Sequence, residues 1–167
     1  KYGLILITDG AHSIGTFYDG KATGSIADMT TFSFHPVKTV TAGEGGAVMT
    51  NSDELYKKLV LFGRHGITRN PDWMENTPEG PWYYEQIELG YNYRMSNVIA
   101  GVIRDQYNHL QEHIAEKKAI YNRYKEGLKD LPIKMNPFDE TKAEPNYWLS
   151  SMLIDEEAMC KQVRGET

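Results

Sequence analysis

The sequence predicts an α/β fold in which a strand-rich first half is followed by a mainly helical second half. Glycine-rich turns such as Gly43-Glu44-Gly45-Gly46 separate short apolar runs in the first half. The runs that predict strands are residues 4–8, 29–33 and 47–50. The first of these, being continuously apolar, is expected to be a buried strand.

Helical periodicity dominates the rest of the chain. Residues 53–62 predict one helix, and Gly63 is placed to end it. After Ser96, apolar residues recur at spacings of three, four or seven, which predicts a long amphipathic helix bent at most once. Its apolar positions are Ile103, Tyr107, Leu110, Ile114, Tyr121, Tyr124, Leu128 and Leu131.

The last third of the chain indicates the beginning of a smaller domain. Pro132 is expected to stop the long helix, and residues 133–135 and 147–154 predict two strands. A further helix is expected to begin near Asp155, with Cys160 as a small filler within it. We therefore predict two domains, residues 1–95 and 96–167. Both ends of the sequence are expected to lie mid-fold, as in a piece of a longer protein.

Residues 67–86 interrupt this pattern with three prolines and no assignable period. The segment also carries Trp73, Trp82 and Tyr83. Long aromatic loops are often functional, and a plain surface insertion is an alternative. The sequence does not choose between a loop that closes over a substrate and one that packs on a second subunit.

Composition excludes several classes of function. The chain has 18 Lys and Arg against 23 Asp and Glu, a net charge of -5, and no basic stripe that could track a nucleic acid. Its apolar runs are too short to span a bilayer, so no membrane association is expected. One cysteine cannot form an internal disulfide and suits a reducing, cytoplasmic location.

Four polar residues follow the predicted strands at the edge of the sheet where ligands bind. Asp9 ends the first apolar run with His12 shortly after it, and Ser33 ends the second run with Lys38 in the following turn. A carboxylate, a ring partner, a hydroxyl and an amine are the groups that pyridoxal 5'-phosphate (PLP) requires. A PLP site built on Asp9, His12, Ser33 and Lys38 is therefore expected.

Four motifs, in one order, resemble those of the DegT/DnrJ/EryC1/StrS family of PLP-dependent nucleotide-sugar aminotransferases. They span residues 8–15 (TDGAHSIG), 32–38 (FSFHPVK), 43–46 (GEGG) and 90–96 (GYNYRMS). The resemblance implies part of a fold-type I (aspartate-aminotransferase-like) transferase. Residues 1–95 would be the later part of the large PLP-binding domain, and 96–167 the connecting helix and the first part of the small C-terminal domain.

The resemblance also implies roles for single residues. Lys38 resembles the lysine that forms the Schiff base with the cofactor, and Asp9 resembles the carboxylate that keeps the pyridine nitrogen protonated. His12 is similar to the residue beside the ring oxygen, and Ser33 to the hydroxyl that binds the phosphate. Asn92 resembles an asparagine that reaches the cofactor of the partner subunit, which implies a homodimer with shared sites.

Arg94 could contact the phosphates of a nucleotide sugar, or it could anchor the loop before the long helix. Family dehydratases carry histidine where Lys38 stands, so this chain resembles the transaminating members. Residues preceding Lys1 would supply the aromatic ring and phosphate loop, and the chain alone is therefore expected to bind PLP weakly. Gly10 departs from the family's usual motif, which has alanine at this position.

The predicted reaction is transfer of an amino group, with glutamate as donor, to a nucleotide-linked keto sugar. The Asn146-Tyr147-Trp148 segment resembles enzymes that aminate carbon 4 of UDP-4-keto-6-deoxy-N-acetylhexosamines. A 3-keto sugar aminotransferase and a PLP-binding relative without turnover are the alternatives. His109 and His113 have the i, i+4 spacing of metal ligands without a third ligand, so no metal site is predicted.

Overall fold

The computed structural model describes residues 2–165. The strands are β1 (Ile7–Asp9), β2 (Phe17–Tyr18), β3 (Lys21–Ala22), β4 (Met29–Ser33), β5 (Gly46–Met49), β6 (Ile67–Thr68), β7 (Glu85–Gln86), β8 (Ile133–Met135), β9 (Ala143–Glu144) and β10 (Met152–Ile154). The helices are α1 (Asp53–Gly63), α2 (Asn97–Asn108), α3 (Leu110–Gly127) and α4 (Glu156–Arg164). The mixed α/β architecture predicted from the sequence is therefore confirmed. Within residues 2–165, no helix has both the length and the apolar character needed to cross a bilayer.

The central sheet has the order β1-β4-β5. β1 runs parallel to β4, with Asp9 opposite Thr31, and β5 runs antiparallel to β4. Parallel strands end at the same edge of a sheet, so the residues that follow β1 and β4 meet there. This register brings the Asp9 turn beside the Ser33 turn.

The first strand differs from its prediction. It begins at Ile7 rather than Leu4, and its apolar side chains are exposed, with Leu4 82% and Ile7 59% accessible. β1 is an edge strand whose one pairing partner among residues 2–165 is β4. The prediction of a buried strand is wrong for this chain because an apolar run does not specify what covers it.

The core lies beneath the loop that carries Lys38. Phe34, Val40 and Leu110 are buried together, and Ile103 and Ile114 of the two long helices pack against them. Burial of a large aliphatic or aromatic side chain stabilises a fold by about 1.5–3 kcal/mol. The loop between β4 and β5 is thus held on both sides of Lys38 by buried side chains.

The predicted long helix is two helices. α2 begins after Ser96, whose Oγ accepts a hydrogen bond from Ile99 N at 3.3 Å, and α3 begins immediately after His109. The backbone of His109 (φ -95°, ψ 5°) is not helical and makes the single expected bend. α3 ends at Gly127, four residues before the last predicted apolar position, Leu131.

The C-terminal part contains the predicted elements with different bounds. β8 pairs antiparallel with β10, and Asp155 caps α4 by accepting a hydrogen bond from Ala158 N at 3.0 Å. The predicted strand at residues 147–154 is only Met152–Ile154, because residues 146–148 bond to the first part of the chain instead of to a strand. Cys160 lies within α4, as predicted for a small residue in a helix, and it is exposed.

A small sheet that the sequence did not predict links residues 17–22 to residues 143–144. β9 pairs with β2, and β2 pairs with β3. Strands of two residues carry too little periodicity to be recognised from sequence. The division into domains at residues 95 and 96 stays a prediction.

The 67–86 loop is organised around one buried carboxylate. Glu85 Oε2 accepts a hydrogen bond from Glu75 N at 2.6 Å, and Oε1 accepts from Asn76 N, Asn76 Nδ2 and the Tyr83 hydroxyl at 3.0, 2.7 and 2.8 Å. Burial by itself would raise the pKa of Glu85, but these donors outweigh it and hold the pKa below its usual value. The same carboxylate raises the pKa of Tyr83 by accepting its hydroxyl hydrogen bond.

Replacing Glu85 with glutamine should loosen this loop. A neutral amide presents one acceptor oxygen to donors that now share a carboxylate, so backbone exchange of residues 70–84 should accelerate at least about tenfold. Hydrogen–deuterium exchange of the intact protein measures this, with exposed Glu79→Gln as the control in the same loop.

The pH dependence of the wild-type loop follows from the lowered pKa of Glu85. The stabilisation is fully present above the pKa of an unfolded glutamate, about 4.3, and is lost as the pH falls through the lower folded value. Exchange of residues 70–84 that is the same at pH 7 in wild type and Glu85→Gln would contradict this account.

Candidate active site

Asp9 and Ser33 stand at the adjoining carboxyl ends of β1 and β4. Asp9 Oδ1 accepts a hydrogen bond from Ala11 N at 2.9 Å, which holds the carboxylate over its own turn. Ser33 Oγ accepts from His35 N at 3.3 Å, leaving its hydroxyl hydrogen for another partner. Two polar side chains are thus fixed at one edge of the sheet.

Gly10 draws the Asp9 turn closely onto β4. Gly10 N donates a hydrogen bond to Thr31 O at 2.8 Å. A Cβ atom at position 10 would lie 2.9 Å from that same oxygen and 2.7 Å from Thr30 Cγ2. The departure from the usual alanine therefore matches a close backbone approach next to Asp9.

Lys38 projects from a turn that is anchored at its base. Lys38 N donates a hydrogen bond to His35 O at 3.0 Å, and Ala42 N donates to Phe34 O at 3.0 Å. Val40 is fully buried just after the lysine. The side chain of Lys38 is half-buried and makes no ion pair with any residue between 2 and 165.

Trp148 brings Lys38 and His12 together. Lys38 Nζ lies 4.4 Å from the centroid of the indole, and the His12 ring centroid lies 3.9 Å from it at an interplanar angle of 35°. The indole Nε1 donates a hydrogen bond of 2.7 Å to Val37 O. Sequence reasoning did not predict Trp148 as a site residue, and its aromatic side chain after Asn146-Tyr147 was the one available signal.

Asn146 fixes this segment to the His12 turn. Its Nδ2 donates hydrogen bonds to His12 O at 2.8 Å and to Ile14 O at 2.9 Å, and its Oδ1 accepts from Trp148 N at 3.0 Å. The side chain is only 5% exposed, so each of these bonds satisfies a buried polar atom. The C-terminal third thereby contributes to a group of residues that otherwise belongs to the first 38.

Asn92 and Arg94 lie in a second region. Arg94 Nε donates a hydrogen bond to Asn92 Oδ1 at 3.0 Å, and Asn92 forms a backbone bridge with Arg64. Arg94 also lines an open cleft of about 800 Å³ together with Arg64, His65, Arg69, Tyr84 and Tyr93. The described residues that line this cleft do not include the four candidate cofactor residues, Asp9, His12, Ser33 and Lys38.

The Asn92 segment is held by a tight backbone crossing. His65 N donates a hydrogen bond to Tyr91 O at 2.9 Å, and Ile87 N donates to Gly66 O at 2.9 Å. Gly66 has a φ of +69°, and a Cβ on Gly90 would lie 2.3 Å from Gly66 N. Two glycines therefore allow this crossing, which places the Asn92-Arg94 pair beside the cleft.

The two histidines at metal-ligand spacing have other partners. His109 Nδ1 lies 2.9 Å from Glu112 Oε2, whose hydrogen bond and charge raise the pKa of His109. His113 Nδ1 lies 3.2 Å from the carbonyl oxygen of Thr39. His113 thus contacts the loop that follows Lys38.

The residues at the strand ends fit PLP. Asp9 supplies a carboxylate with one oxygen uncommitted among residues 2–165, Ser33 a hydroxyl, His12 a ring and Lys38 an amine. Asp9 and Ser33 end neighbouring strands at one edge of the sheet, and His12 and Lys38 lie in the turns that follow them. The fold is that of part of a fold-type I, PLP-dependent transferase, and these residues form its candidate cofactor site.

The chain belongs to the DegT/DnrJ/EryC1/StrS aminotransferase family, whose model matches residues 1–165. It is 40% identical over 151 residues to the UDP-4-amino-4,6-dideoxy-N-acetyl-beta-L-altrosamine transaminase of Campylobacter jejuni subsp. jejuni serotype O:23/36 (strain 81-176), covering 90% of this chain and 36% of that protein. It is 34% identical over 157 residues to the GDP-perosamine synthase of Vibrio cholerae, covering 94% of this chain and 40% of that protein.

A solved structure supports the same relationship. Spr1654 of Streptococcus pneumoniae in its PMP-form superposes with a TM-score of 0.79 at 27% identity, covering 92% of this chain and 39% of that one. The same protein is also known in a PLP-form. The prediction of PLP as cofactor is therefore confirmed at the level of the family. The chain spans about two fifths of the length of the curated relatives it matches.

Proposed function

We propose that the protein transfers an amino group from glutamate to a nucleotide-linked keto sugar in a PLP-dependent reaction. The observation that carries the proposal is the placement of Asp9 and Ser33 at the adjoining ends of β1 and β4, with Lys38 in the turn that follows β4, in a chain of this family. When bound, the cofactor supplies an electron sink for the electrons of a broken C–H bond.

The roles proposed for the residues are those that the family resemblance implies. Asp9 would hold the pyridine nitrogen as a cation through its carboxylate, and Ser33 would donate its hydroxyl hydrogen to the phosphate. Lys38 would attach the cofactor, and its free amine would then take the proton from the α-carbon of glutamate and return it to another carbon. His12, stacked on Trp148, would lie beside the ring oxygen.

The arginine cleft supports an anionic substrate. Arg64, Arg69 and Arg94 place three guanidinium groups around one open cleft, and guanidinium is suited to bidentate binding of phosphate oxygens. Asn92 beside this cleft lies outside the strand-end group, which fits a role at the site of a second subunit. We therefore include a homodimer with shared sites in the proposal. The proposal also includes a cytoplasmic location, which the single cysteine suits.

Amination at carbon 4 is the favoured chemistry. The name of the Campylobacter relative places the amino group at carbon 4 of a 6-deoxy sugar linked to UDP. By similarity, we propose a UDP-4-keto-6-deoxy-N-acetylhexosamine as the substrate of this protein. A protein that aminates only 3-keto sugars would contradict this choice without affecting the role of Lys38.

The proposal is tested by locating the cofactor. Reduction of the intact protein with borohydride in the presence of PLP should fix the cofactor irreversibly on one lysine, and peptide mass spectrometry should find it on Lys38. Glutamate added before reduction should prevent the modification, because the amino group has then passed to the cofactor. Modification elsewhere would contradict the assignment of Lys38, and modification that glutamate never prevents would favour a binding protein without turnover.

A further inference from the structure

Trp148 makes three separate contacts with the residues around the lysine. The indole face lies under the Lys38 amine, its edge donates a hydrogen bond to Val37 O, and its ring stacks near His12. A lysine ammonium over an indole is favourable by about 0.5–2 kcal/mol, depending on how far the pair is desolvated. The indole hydrogen bond is made to the carbonyl of Val37, which directly precedes Lys38. Trp148 therefore contacts both the side chain of Lys38 and the backbone of its turn.

The segment that presents Trp148 is itself rigid. Buried Asn146 fixes it to the His12 turn on one side. Tyr147 has a φ of +52°, a left-handed conformation that is unfavourable for a tyrosine, and its ring packs on Tyr121 and Phe138. Backbone strain of this kind persists where the surroundings enforce it, and it commonly lies at functional sites. The orientation of the indole is therefore determined by contacts on both sides.

We propose that Trp148 is a positioning residue for Lys38. It restricts the amine to the side of the turn that faces His12. In that position the amine can reach the cofactor and the carbon atoms between which it would transfer a proton. The inference rests on the proposed function, which gives Lys38 its role. It assigns to the C-terminal segment a part in the reaction that does not require contact with the substrate.

A second lysine–tryptophan pair, which does not involve Lys38, provides a matched control. Lys57 Nζ lies 5.6 Å from the ring centroid of Trp73, so the same two residue types meet in α1 and the 67–86 loop. Substitution of Trp73 should change the surroundings of Lys57 and leave those of Lys38 alone. The third tryptophan, Trp82, is 66% exposed and serves as the solvent reference.

The test compares Trp148→Phe with Trp73→Phe in the intact protein. Phenylalanine keeps an aromatic ring but lacks the N–H donor, so Trp148→Phe should raise the acetylation rate of Lys38 in cofactor-free protein about threefold to tenfold. The kcat of the loaded enzyme should fall by a similar factor, with the KM for glutamate within about twofold of wild type. Trp73→Phe should leave acetylation of Lys38 at the wild-type rate.

Each other outcome overturns the proposal. Unchanged acetylation and kcat would mean that Trp148 does not position the amine. A fall in kcat without faster acetylation would indicate direct contact of Trp148 with a reactant, and faster acetylation with unchanged kcat would indicate packing alone. If Trp148→Phe does not fold, indole hydrogen exchange in the wild-type protein tests whether Trp148 is bonded to the Lys38 turn. The Nε1–H of Trp148 should exchange at least about tenfold more slowly than that of Trp82, and equal rates would exclude the hydrogen bond to Val37.

The two proposals can fail separately. Borohydride modification of a lysine other than Lys38 would end the proposed function and leave the acetylation result as a statement about packing. Modification of Lys38 together with unchanged acetylation in Trp148→Phe would preserve the proposed function and remove the role of Trp148.

Discussion

Lys38→Ala should reduce the rate of amino transfer in the intact protein by about a thousandfold or more. General acid–base catalysis by one positioned side chain contributes about 10²–10⁴-fold, and Lys38 is also the proposed point of cofactor attachment. Alanine removes both contributions while leaving the buried anchors of the turn, Phe34 and Val40, in place. The measurement is the steady-state formation of the amino sugar from glutamate and the keto sugar.

Two controls accompany this variant. Lys57→Ala removes a lysine that also lies over a tryptophan, and its rate should remain within about twofold of wild type, as is usual for substitutions away from a site. A small primary amine added to Lys38→Ala should restore part of the activity, because it can carry the missing proton. A Lys38→Ala rate within tenfold of wild type would contradict the catalytic role.

Gly90→Ala should have a large effect on stability. The added Cβ would lie 2.3 Å from Gly66 N and 2.8 Å from both Leu61 O and His65 C, and none of these backbone atoms can move without breaking the crossing. Overpacking of this kind typically costs about 1–3 kcal/mol and occasionally more. We expect a lowered thermal midpoint together with weaker binding of a nucleotide sugar, because the crossing positions Asn92 and Arg94.

Gly101→Ala is the matched control for a glycine without close neighbours. Gly101 lies within α2, and an added Cβ there would meet nothing within 4 Å among the described residues. Alanine in a helix interior is favoured over glycine by about 0.5–1 kcal/mol, so this variant should be as stable as wild type or more so. Equal thermal midpoints for Gly90→Ala and Gly101→Ala would contradict the close approach of the two segments.

The parts of the site that sequence predicted are those set by local structure. Asp9 and Ser33 could be placed at one edge of a sheet because each ends an apolar run. The parallel pairing of β1 with β4 then brings the two residues to the same edge. The bend in the long helix was also within reach, although the exact residue, His109, was not. Whether these residues perform the assigned roles stays a prediction.

The parts that sequence missed depend on distant contacts. Trp148 meets Val37 across 111 positions, and Asn146 meets His12 across 134, so no periodicity in either segment could indicate the contact. The same limitation explains the error at β1, where an apolar run predicted burial without a covering element. The crossing of Gly66 and Gly90 is also non-local, and no local pattern around either glycine indicates it.

The contact between Trp148 and the lysine turn also has a consequence for synthesis on the ribosome. The Lys38 loop is made more than a hundred residues before Trp148 can reach it. Contacts with so large a sequence separation form slowly, because the intervening chain must first be ordered. A nascent chain stalled before position 146 would carry the lysine without the residue that restrains it. In the proposed arrangement, the lysine would therefore acquire its restraint only after the segment around Trp148 has left the ribosome.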